Sequence, residues 1–152
     1  MMIASKRHSA KDLERWAYWQ KVDDIEAQRW TDQKMAEAQK IIECFRSIGR
    51  CYAGVSWGKD SVVLAHLIAD AAFDVPLVYV RCEPECNPDC DLVRDAFLQR
   101  FPLVQYDEIT VAAAGKKIGR LTVGFRQAAA RYGDRHISGV RADESGDRKS
   151  VV

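Results

Sequence analysis

No stretch of this chain approaches the roughly 18 consecutive apolar residues that a membrane span requires. Its opening residues, Met-Met-Ile-Ala-Ser-Lys-Arg-His, lack the apolar segment of a secretory signal. Internal repeats and low-complexity tracts are missing too, which argues against solenoids and long disordered segments. The five cysteines are odd in number and fit a reducing cytoplasm better than a disulfide framework. Charge of one sign is also lacking: 23 basic residues stand against 22 acidic ones, a net +1. That balance argues against a protein that coats nucleic acid, while local basic patches remain open. There are three histidines: His8 in the tail, His66 one turn into a helix and His136 opening a strand. Each reads as a packing or surface residue before a general base. What is present, 47% hydrophobic and 30% charged over 152 residues, is ordinary for one soluble globular domain.

The organising stretch is Cys51 to Leu67. A short apolar strand, Cys51 to Val55, breaks over Ser56-Trp57-Gly58-Lys59-Asp60 and resumes as a helix with Val62, Val63, Leu67, Ile68 and Ala71 apolar. This is the first half of a βαβ unit. The unbonded N–H groups and positive dipole end of such a helix form an anion site. Ser56 and Ser61 supply hydroxyls, Gly58 admits close backbone approach, and Lys59 adds a point charge. Asp60 can cap the helix or hold magnesium beside phosphates. The stretch reads as a phosphate cradle. It is not the P-loop of NTPases, because Ala53 stands at the first glycine and Asp60 at the magnesium-binding Ser/Thr.

Around this unit, Ser9 predicts the cap of a helix to about Trp30, carrying Trp16, Tyr18, Trp19 and Trp30. Those rings serve either to pack the helix onto the domain or to form an arm that docks on a second subunit. Thr31 or Asp32 predicts a second helix to Ser47, with Met35, Ala38, Ile41, Ile42 and Phe45 apolar and Gly49 ending it. The domain reading is thus an arm over 1–31 and a nucleotide-type domain over 32–152. Val75 to Val80 predicts a strand buried on both faces. A helix from Asp91 to Phe101, a strand from Leu103 to Ile109, a loop or short helix over Thr110 to Thr122, a helix from Gly124 to Tyr132 and a strand from His136 to Val140 follow. The alternation implies an α/β, doubly wound, mainly parallel sheet with helices on both faces and an N-terminal helical arm. Its ligand belongs beyond the strand C-termini.

Three further features carry chemistry. Arg141 leaves the last strand at Gly139-Val140-Arg141, suited either to a bidentate phosphate contact or to a salt bridge with Asp143 or Glu144. Cys82, Cys86 and Cys90 recur at C-x3-C-x3-C, which is not the spacing of common zinc sites. With Pro84 and Pro88 between them and no histidine nearby, plain loop cysteines come before a reactive thiol, zinc or an iron–sulfur cluster. Cys44 and Cys51 read as core. Lys116, Lys117, Arg120, Arg126, Arg131 and Arg135 make a basic tract over 115–135, either a solvated face or a patch for nucleic acid.

Ser56-Trp57-Gly58-Lys59-Asp60-Ser61 resembles the S-G-G-x-D-S loop of the PP-loop ATP pyrophosphatases, the adenine nucleotide alpha hydrolase-like superfamily. Gly139-Val140-Arg141, Glu144-Ser145 and Arg148 resemble the G-[IV]-R-x-x-[DE]-S-x-x-R segment of one branch, the phosphoadenosine phosphosulfate (PAPS) reductase family. The resemblance spans about Asp32 to Arg148. It implies a Rossmann-like (HUP) sheet of order 3-2-1-4, with ATP or PAPS as ligand. The nucleotide and its phosphates would lie on Ser56, Trp57, Gly58, Lys59, Asp60 and Ser61, with Gly139, Arg141 and Arg148 at the phosphate or sulfate end and the adenine near Tyr79 to Cys82. Trp57 replaces the usual first glycine with a bulky ring, and the sequence ends at Val152 without the family's cysteine-bearing tail. The expected function is nucleotidyl activation or sulfur transfer, with Lys59, Asp60 and Arg141 catalytic and magnesium at Asp60. The alternative is a non-catalytic nucleotide-binding module, or a subunit of a larger sulfur-transfer or nucleic-acid modification complex. A homo-oligomer joined through the arm is the expected assembly.

Overall fold

In the computed structural model, residues 8–84, 87–112 and 117–139 are described. Helix α1 runs from Ala10 to Ser47 without a break. Ser9 caps it reciprocally: its Oγ accepts from Asp12 N–H at 3.2 Å, and its own N–H donates to Asp12 Oδ2 at 2.9 Å. The expected division at Thr31 is absent because no glycine or proline interrupts residues 10–47. A capping residue starts a helix only where the chain before it is not already helical. Gly49 follows the helix but not in the left-handed conformation expected of it; among described glycines only Gly133 has positive φ.

Strand β1 (Cys51–Gly54) feeds α2 (Lys59–Asp70), β2 (Leu77–Cys82), α3 (Pro88–Arg100), β3 (Tyr106–Val111), α4 (Lys117–Tyr132) and β4 (Arg135–Ser138). All pairings are parallel and the order is β3-β2-β1-β4. The chain therefore has the doubly wound α/β architecture expected. Boundaries differ where turn chemistry dominates. Asn87 accepts from Asp89 N–H and Pro88 takes the first helical position, so α3 starts three residues before the expected Asp91. Leu103, expected in β3, lies in the preceding turn, 96% exposed.

Alternation along β1 and β2 builds two cores. Ala53, Val55, Leu77 and Tyr79 face α1, α2 and α3, meeting Ile42, Leu64, Ile68 and Phe97. Tyr52 and Val78 face the opposite way, toward Ala128 and Phe125 of α4. Helix α4 sits so close to β2 that a Cβ on Gly124 would run into the Val80 side chain. On α1, Met35, Ala38, Ile42 and Phe45 join the core, whereas Ile41 and Cys44 are exposed, against expectation.

Between α3 and the sheet lies an ionic network. The two terminal Arg81 nitrogens, Nη1 and Nη2, donate to Asp91 (2.5 and 3.1 Å), and Arg94 bridges Asp91 at 2.8 Å to Glu108 at 3.0 Å. The Arg81 fork holds the Asp91 carboxyl below its ordinary range, against the opposing pull of burial. A depressed folded-state pKa stabilises the protein above the unfolded value, about 3.9, and that share is lost as pH falls through the lower folded value. The stability gap between wild type and Asp91→Asn is therefore expected to be full at pH 6 and to close below pH 4. Urea midpoints measured from pH 3 to 7 check this.

Candidate functional site

The order of the strands reverses beside β1, with β2 on one flank and β4 on the other. A cleft of about 420 Å³ opens at that end of the sheet. Its first wall is the turn from β1 into α2: Ser56, Gly58, Lys59, Asp60 and Ser61. Its second is apolar, from Val80, Leu121 and Phe125. Gly54 of β1 and His136, Ser138 and Gly139 at the end of β4 complete it.

The turn is held from within. Ser61 is buried, and its Oγ donates to the Gly58 carbonyl at 3.0 Å while accepting from Ser56 N–H at 3.2 Å. The Ser56 and Ser61 hydroxyls are 3.3 Å apart. Ser61 therefore staples the turn, its proton already committed, and Ser56 is the exposed hydroxyl. Gly58 is the N-cap of α2 and no side chain among the described residues caps it, so the first-turn N–H groups, in residues that line the cleft, have no capping oxygen there. Lys59 and Asp60 are exposed in that first turn. The Asp60 carboxylate also sits favourably at the positive end of the helix dipole.

Trp57, expected among the binding residues of the loop, does not line the cleft. It adopts φ of 60° and turns its ring away, into the core under the loop, where it is 2% exposed. The ring lies 5.4 Å from Phe97 and 5.7 Å from Tyr106, centroid to centroid. The left-handed backbone that a glycine supplies freely is here adopted by a tryptophan whose bulk is absorbed below the loop. Its indole N–H lies near enough to the Tyr106 hydroxyl to favour the phenolate, yet completes no hydrogen bond among the described residues. Burial foremost, then the hydrogen bond to Glu108, still pushes the Tyr106 phenol well up.

Gly139 brings β4 against the start of α2. A Cβ there would stand 2.7 Å from the Asp60 carbonyl oxygen and 3.2 Å from the Ser61 nitrogen, so only glycine permits the contact. Arg141 and Arg148 lie outside the described residues, as does Cys86. Comparison with protein-family models, with curated proteins and with solved structures finds no match.

The remaining candidates are dispersed. Cys82 is buried at the end of β2, and Cys90 lies half-buried in the first turn of α3, packed on the core rather than in a loop. Among the described residues no three metal-ligating side chains cluster. The basic tract does not present one face. Arg120 is buried and donates to the Glu83 carbonyl at 2.6 Å, and Arg131 pairs with Asp107 at 2.7 Å. Arg135 donates to the Phe45 carbonyl with its guanidinium 4.1 Å from the Phe45 ring centre, tying β4 to α1.

Among the cleft residues that were not candidates read from the sequence are Gly54 and His136. Their signal is parity. Tyr52, Gly54, His136 and Ser138 share one sheet face, but this becomes visible only once β4 is known to pair with β1 in register Tyr52↔His136. His66, as expected, is a packing residue, its ring 5.4 Å from that of Phe101.

Proposed function

We propose that this chain is a PP-loop protein of the PAPS-reductase-like kind, binding an adenine nucleotide, ATP or PAPS, in the cleft between β1 and β4. The observation that carries this reading is the uncapped α2 N-terminus, with Lys59 beside it, opening onto a cleft that also has an apolar wall. Anionic phosphates suit the first feature and a planar base suits the second. The Ser56-Trp57-Gly58-Lys59-Asp60-Ser61 loop would hold the phosphates through backbone N–H groups, the Ser56 hydroxyl and the Lys59 ammonium. Ser61 contributes by keeping the turn in shape. Val80, Leu121 and Phe125 would cover the base.

The chemistry that fits is attack at the α-phosphate or the sulfate end, in nucleotidyl activation or sulfur transfer. Lys59 and the helix amides would offset charge that builds on the leaving group, the main catalytic device open to such reactions. Arg141 would steady the transferring group. Magnesium is commonly held by one or two carboxylates together with phosphate oxygens, and Asp60 supplies one carboxylate at the cleft wall. When bound, the ion would neutralise phosphate charge.

Calorimetric titration with ATP, AMP and PAPS, with and without magnesium, tests the reading. Micromolar binding of at least one, with pyrophosphate release from ATP if the chain is an adenylating enzyme, is the expected result. Absence of binding to all three would overturn it. Gly58→Ala sharpens the test. Among the described residues the added Cβ meets only Ser56 Oγ, at 3.5 Å, and φ is an ordinary −79°. The poorer N-cap and the stiffer unfolded chain act in opposite directions, each by roughly 0.5–1 kcal/mol. Unfolding stability is thus expected to change little, while an anion closing on the loop meets the new methyl and binds more weakly.

A second reading rests on α1. Leu13, Tyr18 and Trp19 are 40%, 63% and 52% exposed, and the Trp16 ring lies 4.3 Å from the His8 ring. The account in which these rings pack on the domain fails for Tyr18 and Trp19. Their exposure supports a chain that works as one subunit of an assembly, homo-oligomeric or part of a larger sulfur-transfer or nucleic-acid modification complex. Light scattering of the wild type and of a Tyr18→Ser/Trp19→Ser variant distinguishes it: a dimer reduced to monomer supports the reading, and a monomeric wild type removes the homo-oligomer.

A further inference from the structure

His136 occupies the ground between the two halves of the cleft. Its imidazole stacks on Tyr52, with ring centres 5.1 Å apart and planes 14° apart, and lies 5.0 Å from the Phe125 ring. Tyr52 is 2% exposed, and its hydroxyl reaches the Phe125 carbonyl at 3.5 Å, so the platform beneath the imidazole is fixed. The imidazole itself is exposed, on the cleft lining. Its Nε2 edge is directed over β1, into the space that a side chain at Gly54 would fill: a Cβ built there would collide with Nε2. Gly54 is the last residue of β1, two positions before Ser56. One polar ring edge is thus held between the loop that suits phosphate and the apolar wall that suits a base.

In a nucleotide, the group between phosphates and base is the sugar. We infer that His136 hydrogen-bonds the ribose hydroxyls of the bound nucleotide and so sets preference for a ribonucleotide over a deoxynucleotide or a bare polyphosphate. Gly54 is the positioning residue that leaves room for the imidazole. This rests on the nucleotide reading above and adds to it the group that is recognised and the residue that recognises it. A histidine serves here because each ring nitrogen can donate or accept, while the aromatic stack restricts the ring's rotation and lowers the entropy lost on binding.

The test compares ATP, 2′-deoxy-ATP, 3′-deoxy-ATP and inorganic tripolyphosphate on wild type, His136→Phe and Gly54→Ala, with thermal midpoints as the control for folding. Phenylalanine keeps an aromatic ring on Tyr52 and Phe125 and removes the polar edge. His136→Phe is expected to weaken ATP about five- to tenfold, the worth of one hydrogen bond, and to leave tripolyphosphate unchanged. Wild type is expected to disfavour at least one deoxynucleotide by a similar factor, and His136→Phe to lose that discrimination. Gly54→Ala, which displaces the ring without removing it, should reproduce the loss. Equal ATP affinity in wild type and His136→Phe overturns the inference and leaves the nucleotide reading intact. Parallel loss of ATP and tripolyphosphate also overturns it, because the ring then only shapes the loop. A wild type that binds tripolyphosphate but gains nothing from the nucleoside removes both.

Discussion

Replacing Trp57 by alanine is expected to cost about 3–5 kcal/mol of unfolding free energy, the largest effect of any single change considered. The ring is 2% exposed and packs between Phe97 and Tyr106, directly beneath the turn that forms the cleft wall. Its removal leaves a cavity that the neighbouring strands β2 and β3 cannot readily close. The backbone makes the series diagnostic. At φ of 60° a residue with a Cβ carries a left-handed penalty of roughly 1–2 kcal/mol that glycine escapes. Trp57→Gly is therefore expected to be no less stable than Trp57→Ala, the reverse of the order at an ordinary buried site. Trp57→Phe should be the mildest, since it also removes a buried donor without an acceptor among the described residues, a group that costs about 1–3 kcal/mol when left unpaired. Urea unfolding of the three variants gives the order directly. Greater stability of alanine over glycine would mean that the loop changes its backbone when the ring is lost.

Lys59→Ala is expected to act in the opposite sense, leaving stability within about 0.5 kcal/mol of wild type and weakening ATP binding about 10- to 100-fold. Lys59 is exposed at the first position of α2, so its truncation opens no cavity. A charge-assisted hydrogen bond to phosphate is worth roughly 1.5–3 kcal/mol, which sets the affinity range. Because Lys59 is exposed, the loss should shrink as salt rises from low ionic strength toward 1 M. Titration of wild type and variant at two salt concentrations checks both statements. An unchanged affinity would move the phosphates away from this loop.

The pairing of these variants separates the two faces of one turn. Trp57 and Lys59 are two residues apart, yet one belongs to the core and the other to solvent. Sequence pattern marked the turn correctly, because a short apolar strand, a break rich in small residues and an amphipathic helix are local signals. It also carried the parallel architecture, since Leu77 to Val80 is a run that only a sheet covered on both faces can bury. The Ser9 cap was legible for the same reason: its partners lie within three residues.

Other features depended on residues distant in the chain. Nothing near Trp57 says that a slot between Phe97 and Tyr106 awaits its ring, so the residue was counted with the rest of the loop as a binding residue. Arg120, Arg131 and Arg135 read as a basic tract because their acceptors, the Glu83 carbonyl, Asp107 and the Phe45 carbonyl, lie elsewhere in sequence. Cys44 and Ile41 fell on the apolar side of a shorter helix, but both stand exposed on α1. His136 joined the cleft only when β4 paired with β1, which set its register opposite Tyr52 and its edge over Gly54. Helix, strand and turn type follow mostly from interactions spanning a few residues, and the amino-acid order was enough for most of them, though not for the single helix over residues 10–47 or the start of α4 at Lys117. The direction a side chain takes at a sheet edge follows from which strands meet and how closely, and that was decided when the two cores closed around β1.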